Sequence, residues 1–377
     1  MTYQSVKIKM AKKKIICTVT NDLVYDQRMQ RICTSLQNNT FDVELVGRVL
    51  KDSKPLQNMT FQQTRLKCLF NKGFFFYAAI NIRLFIYLLF NKFDIICGCD
   101  LDTLPAAVLA AKIKRKKVVY DAHEYFPESP ELVGKPFKQS VWYFIEKLLV
   151  PKVDAIYTVT NSIAHIFKKK YNVDCKLVRN LPIKNKSQIS SRNNSGLKSK
   201  VLLYQGAVNI GRGLNEMLLA MLKIENVEFH IAGDGDEMHV IQHAIKELKL
   251  ENKVKLLGKK TPLELKEITQ RAYIGVNLLE NRGLSYYYSL GNKTFDYIQA
   301  AIPQIVIGFP EYIELNKQYH FGIIVDELSV EKICQAIMKL MNDEALYKQI
   351  QQNCLIAREE LCWQNEEKTL IDIYGKL

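Results

Sequence analysis

Short apolar runs, each closed by a polar or glycine-bearing turn and followed by a segment of helical periodicity, recur along this 377-residue chain. Runs of this kind are strands buried on both faces. Their alternation with helices selects an α/β architecture, a parallel sheet covered by helices on both sides. Runs at 15–20, 42–49, 93–99, 117–121 and 155–160 form one series; runs at 201–204, 227–233, 254–257, 273–279, 304–308 and 323–326 form another. Between them, 186–200 is rich in serine, asparagine and lysine and poor in apolar residues. Such a stretch has too little apolar surface to join a core, so it reads as a linker between two doubly wound domains, 1–185 and 201–359. The length suits two domains better than one. A last helical segment at about 360–377 closes the chain.

Hydrophobic residues at 48% and charged residues at 24% are globular values. The charge is unevenly spread. Residues 1–185 hold 30 of the 53 lysines and arginines but 15 of the 39 acids, so the entire +14 excess lies there. A basic half points to an anionic partner, a membrane surface or nucleic acid, and nucleic acid ranks last because it leaves the cleft motifs unexplained. The nine cysteines lack paired zinc spacing and read as reduced core thiols, and no secretory segment is recognisable, so a cytoplasmic location is expected. The most apolar stretch, 74–90, is marginal for a membrane span because Asn81 and Arg83 interrupt it. It reads first as a core helix over the sheet, and otherwise as a helix partly in a membrane interface.

Candidate chemistry gathers at strand ends, where open α/β sheets bind ligands. Ser289-Leu-Gly-Asn292-Lys293-Thr-Phe-Asp296 forms a loop feeding a short helix. Lys293 in the first turn opposes the helix dipole, which suits an anion bound at that end, and Asp296 one turn on suits a ribose. Taken alone, the two also fit a solvated surface pair. The turn Gly206-Ala-Val-Asn-Ile-Gly211-Arg212-Gly lets backbone amides approach a pyrophosphate, with Arg212 as its cation or as a plain surface charge. Gly233, Gly258 and Lys259 end further strands of this half. In the first half, Asn21 and Asp22 follow the first strand. Asp100 and Asp102 follow the third, where helix capping by Asp102 or Thr103 is a better reading than metal binding. His123, Glu124 and Glu128 follow the fourth, and no other histidine stands at such a strand end.

The segment from Ser289 to Pro303 resembles the donor-site motif of the retaining glycosyltransferases of family 4, Ser-x-x-x-Lys-x-x-Glu-Tyr followed by Pro. Asp296 stands where that family usually has Glu, and Tyr288 occupies an earlier acidic position. The 206–213 turn is similar to the family's phosphate segment, with Arg212 at its lysine position and Ala207 in place of an arginine. Val119-Tyr-Asp-Ala-His123-Glu124-Tyr-Phe-Pro-Glu128 resembles the segment whose histidine reaches the sugar. The resemblance implies a GT-B fold, two Rossmann-like domains facing a cleft, with a C-terminal helix crossing back to the first. It implies transfer of sugar from a UDP- or GDP-sugar to a glycan or lipid-linked acceptor, without metal or other cofactor. Arg212 and Lys293 would meet the diphosphate and Asp296 the ribose. His123 would position the sugar, and Asn21, Asp22, Glu124 and Glu128 are acceptor-side candidates. A nucleotide-sugar epimerase and a catalytically degenerate binding protein are the rival readings.

Overall fold

The computed structural model describes residues 12–184 and 200–377; the expected linker, save Lys200, lies outside the described residues. The first sheet has seven strands in the order β3-β2-β1-β4-β5-β6-β7: β1 (Lys13–Thr18), β2 (Phe41–Val49), β3 (Gln62–Lys67), β4 (Ile95–Cys99), β5 (Lys117–Ala122), β6 (Ala155–Thr158) and β7 (Cys175–Leu177). The second has six in the order β10-β9-β8-β11-β12-β13: β8 (Lys200–Gln205), β9 (Val227–Ala232), β10 (Val254–Leu256), β11 (Ile274–Asn277), β12 (Gln304–Ile307) and β13 (Gly322–Val325). Neighbouring strands are parallel, as in the β1 registers with β2 and β4 and the β11 registers with β8 and β12. This is the two-domain Rossmann-like GT-B fold. Strand order reverses between β1 and β4 and between β8 and β11, and a crevice opens at each reversal beyond the carboxyl ends.

Helices cover both faces of each sheet. In the first unit these are α1 (Gln27–Asn38), α2 (Gly73–Phe90), α3 (Leu104–Lys114), α4 (Pro136–Leu149) and α5 (Asn161–Tyr171). The second has α6 (Leu214–Met221), α7 (Met238–Glu247), α8 (Pro262–Arg271), α9 (Gly283–Tyr287), α10 (Asn292–Gln299), α11 (Pro310–Tyr319), α12 (Val330–Asn342) and α13 (Glu344–Glu360). The last helix, α14 (Trp363–Gly375), returns to the first sheet. Its Trp363, Leu370 and Tyr374 join Ile15, Cys17 and Met29 in one core, each such side chain stabilising by ~1.5–3 kcal/mol. The Trp363 indole donates to Ser35 Oγ at 2.8 Å, and Arg179 pairs with Glu366, so the return is held by polar contacts too.

Three local readings need correction. β3 and β7 have no counterpart among the expected strands, because they are sheet edges: β3 is Gln-Gln-Thr-Arg-Leu-Lys with no residue fully buried, and β7 spans three residues. Thr103 does not cap α3 with its side chain; its hydroxyl donates to Cys99 O at 2.9 Å, and Asp102 instead accepts from Thr20 at 2.6 Å. The 74–90 stretch is neither wholly core nor wholly free. In α2, Phe76, Ile80, Leu84 and Leu88 are buried against the sheet, while Phe75, Ile82, Ile86 and Phe90 on the other side are exposed. Length and composition alone would let this helix cross a membrane, but one face of it belongs to the core.

Candidate functional site

The switch points of the two sheets face one another across a cleft of about 680 Å³, a size suited to a small-molecule ligand. On the second-domain side, β8 ends at Gln205 and turns through Gly206, whose φ of +127° glycine adopts without strain. A Cβ there would lie 3.6 Å from Lys293 Cε, so the turn is packed against the lysine stem. Asn277, at the end of β11, donates to Thr294 Oγ1 at 2.7 Å and to Tyr312 Oη at 3.2 Å; Tyr312 Oη also accepts from Gly291 N at 2.8 Å. These bonds fix the first turn of α10 and thereby aim Lys293 into the cleft.

Lys293 is 8% exposed, and its Nζ lies 3.6 Å from the Tyr204 ring centroid with no hydrogen-bond partner among the described residues. Burial, and then the nearby Arg212 charge, hold its pKa well below the usual lysine value. Arg212 stacks over Tyr286 at 4.8 Å, and its Nε also lacks a partner among the described residues. A lysine and an arginine thus face the cleft with donors unsatisfied among the described residues. Asp296, one turn along α10, accepts from Gln205 Nε2 at 2.8 Å, while Gln205 Oε1 accepts from Thr269. Burial raises Asp296 to about 6, against the opposing pull of Arg31 and the Gln205 bond.

The first-domain wall is built around His123. Asp100 adopts a left-handed backbone (φ 60°), accepts the His123 amide through Oδ1 at 3.0 Å, and pairs with Nδ1 through Oδ2 at 3.2 Å. On the other side, Nε2 meets Asp121 Oδ2 at 3.1 Å, and Asp121 is itself forked by Arg28 at 2.8 and 3.4 Å. Burial works against the charged imidazole, but the two carboxylates outweigh it and raise the His123 pKa well above its usual value. Burial likewise disfavours the Asp121 anion, yet Arg28 and His123 bring it down to about 2. Both ring nitrogens are therefore engaged by carboxylates, which leaves no N–H free for a sugar. Beside it, burial and the Asp100 charge raise Glu124 to about 8, and Ser285 Oγ donates to it at 3.0 Å from across the cleft.

Of the residues singled out from sequence, Asn21, His123, Glu124, Gly206, Arg212, Ser289, Asn292, Lys293 and Asp296 line the cleft together. Six do not. Asp22 is buried against Arg65 and Ser53. Glu128 accepts from Tyr143, from Gln139 at 3.0 Å and from Leu284 N at 3.3 Å, which joins the two domains beside the cleft. Gly211 packs under Arg282, and Gly233 lies against Gly206 O, only 1.8 Å from where its own Cβ would be. Gly258 is a left-handed turn position with open space around it. Lys259 reaches across the domain gap to sit 3.9 Å over the ring of Tyr25. Lining residues not foreseen include Arg28, Arg31, Gln205 and Asn277. Arg28 and Arg31, one turn apart at the start of α1, follow the first strand; that position at the β1 switch point is the one sequence signal that points to them.

Residues 27–181 match Glycosyltransferase Family 4, and residues 185–354 match Glycosyl transferases group 1. The chain belongs to this glycosyltransferase family. Among solved structures, the Anabaena protein HepE, in complex with UDP and glucose, superposes at a TM-score of 0.76 with 14% identity over 97% of this chain and 100% of that one. Sucrose-phosphate synthase from Thermosynechococcus elongatus gives 0.75 at 13% identity, covering 97% of this chain and 99% of that one. WaaG, a glycosyltransferase involved in lipopolysaccharide biosynthesis, gives 0.71 at 14% identity over 96% and 100%. At such identities the likeness speaks to the fold. A search of curated proteins gave no match.

Proposed function

We propose that this glycosyltransferase takes a nucleoside diphosphate sugar into the cleft and transfers the sugar with retention to a glycan or lipid-linked glycan, in surface polysaccharide assembly. The observation that carries the reading is the buried Nζ of Lys293, without a partner among the described residues, beside Arg212. An unpaired cation in a protein interior is costly, and a diphosphate supplies the missing acceptors. As the sugar departs, negative charge grows on the diphosphate, and two preorganised cations stabilise that charge most where it is greatest. Asp296 is placed one turn away to accept a ribose hydroxyl. A uridine or guanosine diphosphate sugar is the expected donor; HepE has been solved with UDP-glucose, which favours uridine.

In this reading the second domain, 201–359, holds the donor, and the first, 1–185 with the final helix, holds the acceptor. Arg212 and Lys293 take the charge-neutralising role, so turnover is expected to persist in EDTA. His123 stands at the transferred sugar as a fixed charge, and Asp100 and Asp121 keep its orientation. The departing phosphate oxygen accepts the proton of the attacking hydroxyl on the same face of the sugar, and this gives retention. A thermal-shift titration with UDP, GDP, ADP and their sugars tests the donor assignment. One nucleotide is expected to stabilise the parent selectively and to lose that effect in Lys293→Ala and Asp296→Ala. A shift unchanged in both variants would place the nucleotide elsewhere, and donor binding without turnover would mark a degenerate binding protein.

A further inference from the structure

The exposed apolar residues are concentrated on one side of the first domain. On α2, Phe75, Ile82, Ile86 and Phe90 recur at helical spacing along the face turned away from the sheet, and Phe90 is 85% exposed. On α4, Phe137, Val141, Phe144 and Leu148 do the same, with Phe137 81% exposed. Between these helices α3 exposes Leu109 and Ile113; all three helices pack on the same face of the first sheet. Cations border these stripes: Lys72, Arg83 and Lys92 around α2, Lys112 and Arg115 on and after α3, Lys138 and Lys147 on α4, all exposed. Within the described residues 72–92, 104–117 and 135–152 the sole acid is Glu146, which is buried and bonded to Tyr171.

We infer that this three-helix face is a docking surface for an anionic lipid bilayer, lying flat with its aromatic rows in the headgroup boundary. Apolar stripes flanked by lysine and cleared of acid match an interfacial helix, and the whole excess positive charge of the chain lies in this half. A second copy of the chain would bring the same cations against each other, which disfavours self-association as the use of this face. The orientation follows from the topology. In a parallel sheet each helix begins at the carboxyl edge of the strand before it, so the first turns of α2 and α4 lie on the cleft side. Phe74, at 75% exposed, Phe75 and Phe137 stand there. The bilayer would meet the protein beside the acceptor side of the cleft. The surface does not depend on which donor the cleft takes.

Co-sedimentation of the full chain with vesicles tests this, using equimolar phosphatidylglycerol and phosphatidylcholine against phosphatidylcholine alone. The parent is expected to bind the anionic vesicles and to weaken as salt rises. Each lysine near such a surface contributes about a factor of five, so Lys138→Glu/Lys147→Glu is expected to weaken binding at least ~25-fold. Phe137→Glu/Phe144→Glu removes two exposed rings from the face and is expected to lose at least ~10-fold. Both variants should melt at the parent temperature, since all four side chains are exposed. Absent binding at low salt, equal binding to neutral vesicles, or parent-like binding by both variants would overturn the inference. So would a concentration-dependent dimer lost in Phe137→Glu/Phe144→Glu, which would give the face to a second copy.

Discussion

Replacing Lys293 by methionine separates stability from function at the cleft. In the nucleotide-free protein the Lys293 amino group is buried, stacked on Tyr204 and without a hydrogen-bond partner among the described residues, and its lowered pKa reflects that burial and the neighbouring Arg212. A buried polar group without a partner costs ~1–3 kcal/mol. Methionine has nearly the same length, keeps the contact with the Tyr204 ring and carries no charge. Lys293→Met is therefore expected to stabilise the empty protein by ~1–3 kcal/mol. For a unit of this size each kcal/mol raises the melting midpoint by ~2–4 °C. Nucleotide binding should move the other way. A hydrogen bond to a charged group is worth ~1.5–3 kcal/mol, so the variant is expected to bind nucleoside diphosphate ~10- to 150-fold more weakly. Calorimetric melting without nucleotide and isothermal titration with the nucleotide chosen by the thermal-shift panel read the two effects. A variant that melts below the parent, or binds as tightly, would refute the account of Lys293 as a cation held in waiting for an anion.

Further outcomes follow from the first-domain wall and the turns beneath the second. Asp121→Asn leaves Arg28 buried without its carboxylate and is expected to cost ~3–5 kcal/mol in urea denaturation; a loss below ~1 kcal/mol would remove the pair from the stability of this wall. His123, Glu124 and Asp102 are all raised above their ordinary values, Glu124 to about 8 and Asp102 to about 7. Each binds its proton more tightly when folded, so their contribution is full below the unfolded values and is lost as pH rises through the folded ones. The melting temperature is expected to fall from about pH 5 toward pH 9, and Glu124→Gln to flatten part of that slope; an unchanged slope would count against a raised Glu124. Gly233→Ala would place a Cβ 1.8 Å from Gly206 O and is expected to destabilise by ~1–3 kcal/mol, read as a lower urea midpoint.

What could be read in the chain alone was whatever is local. The apolar runs that became β4, β5 and β8 carry their burial in four or five consecutive residues, and the α10 turn carries Lys293 and Asp296 three apart. The edge strands carry no such signal, because an edge needs fewer buried residues. The cage around His123 was equally hidden: its ring meets Asp100 from the β4 turn, and Asp121 is clamped by Arg28 from α1, 93 positions away. Only the sheet order brings those three turns together. The α2 stretch is ambiguous in sequence for a related reason, since both of its faces are apolar and the sheet can cover only one.

The most direct measurement is a crystal structure of the protein with its selected nucleoside diphosphate. The account predicts diphosphate oxygens within hydrogen-bond distance of Lys293 Nζ and the Arg212 guanidinium, and a ribose hydroxyl on Asp296. A nucleotide bound elsewhere, with Lys293 still lacking a partner, would contradict it.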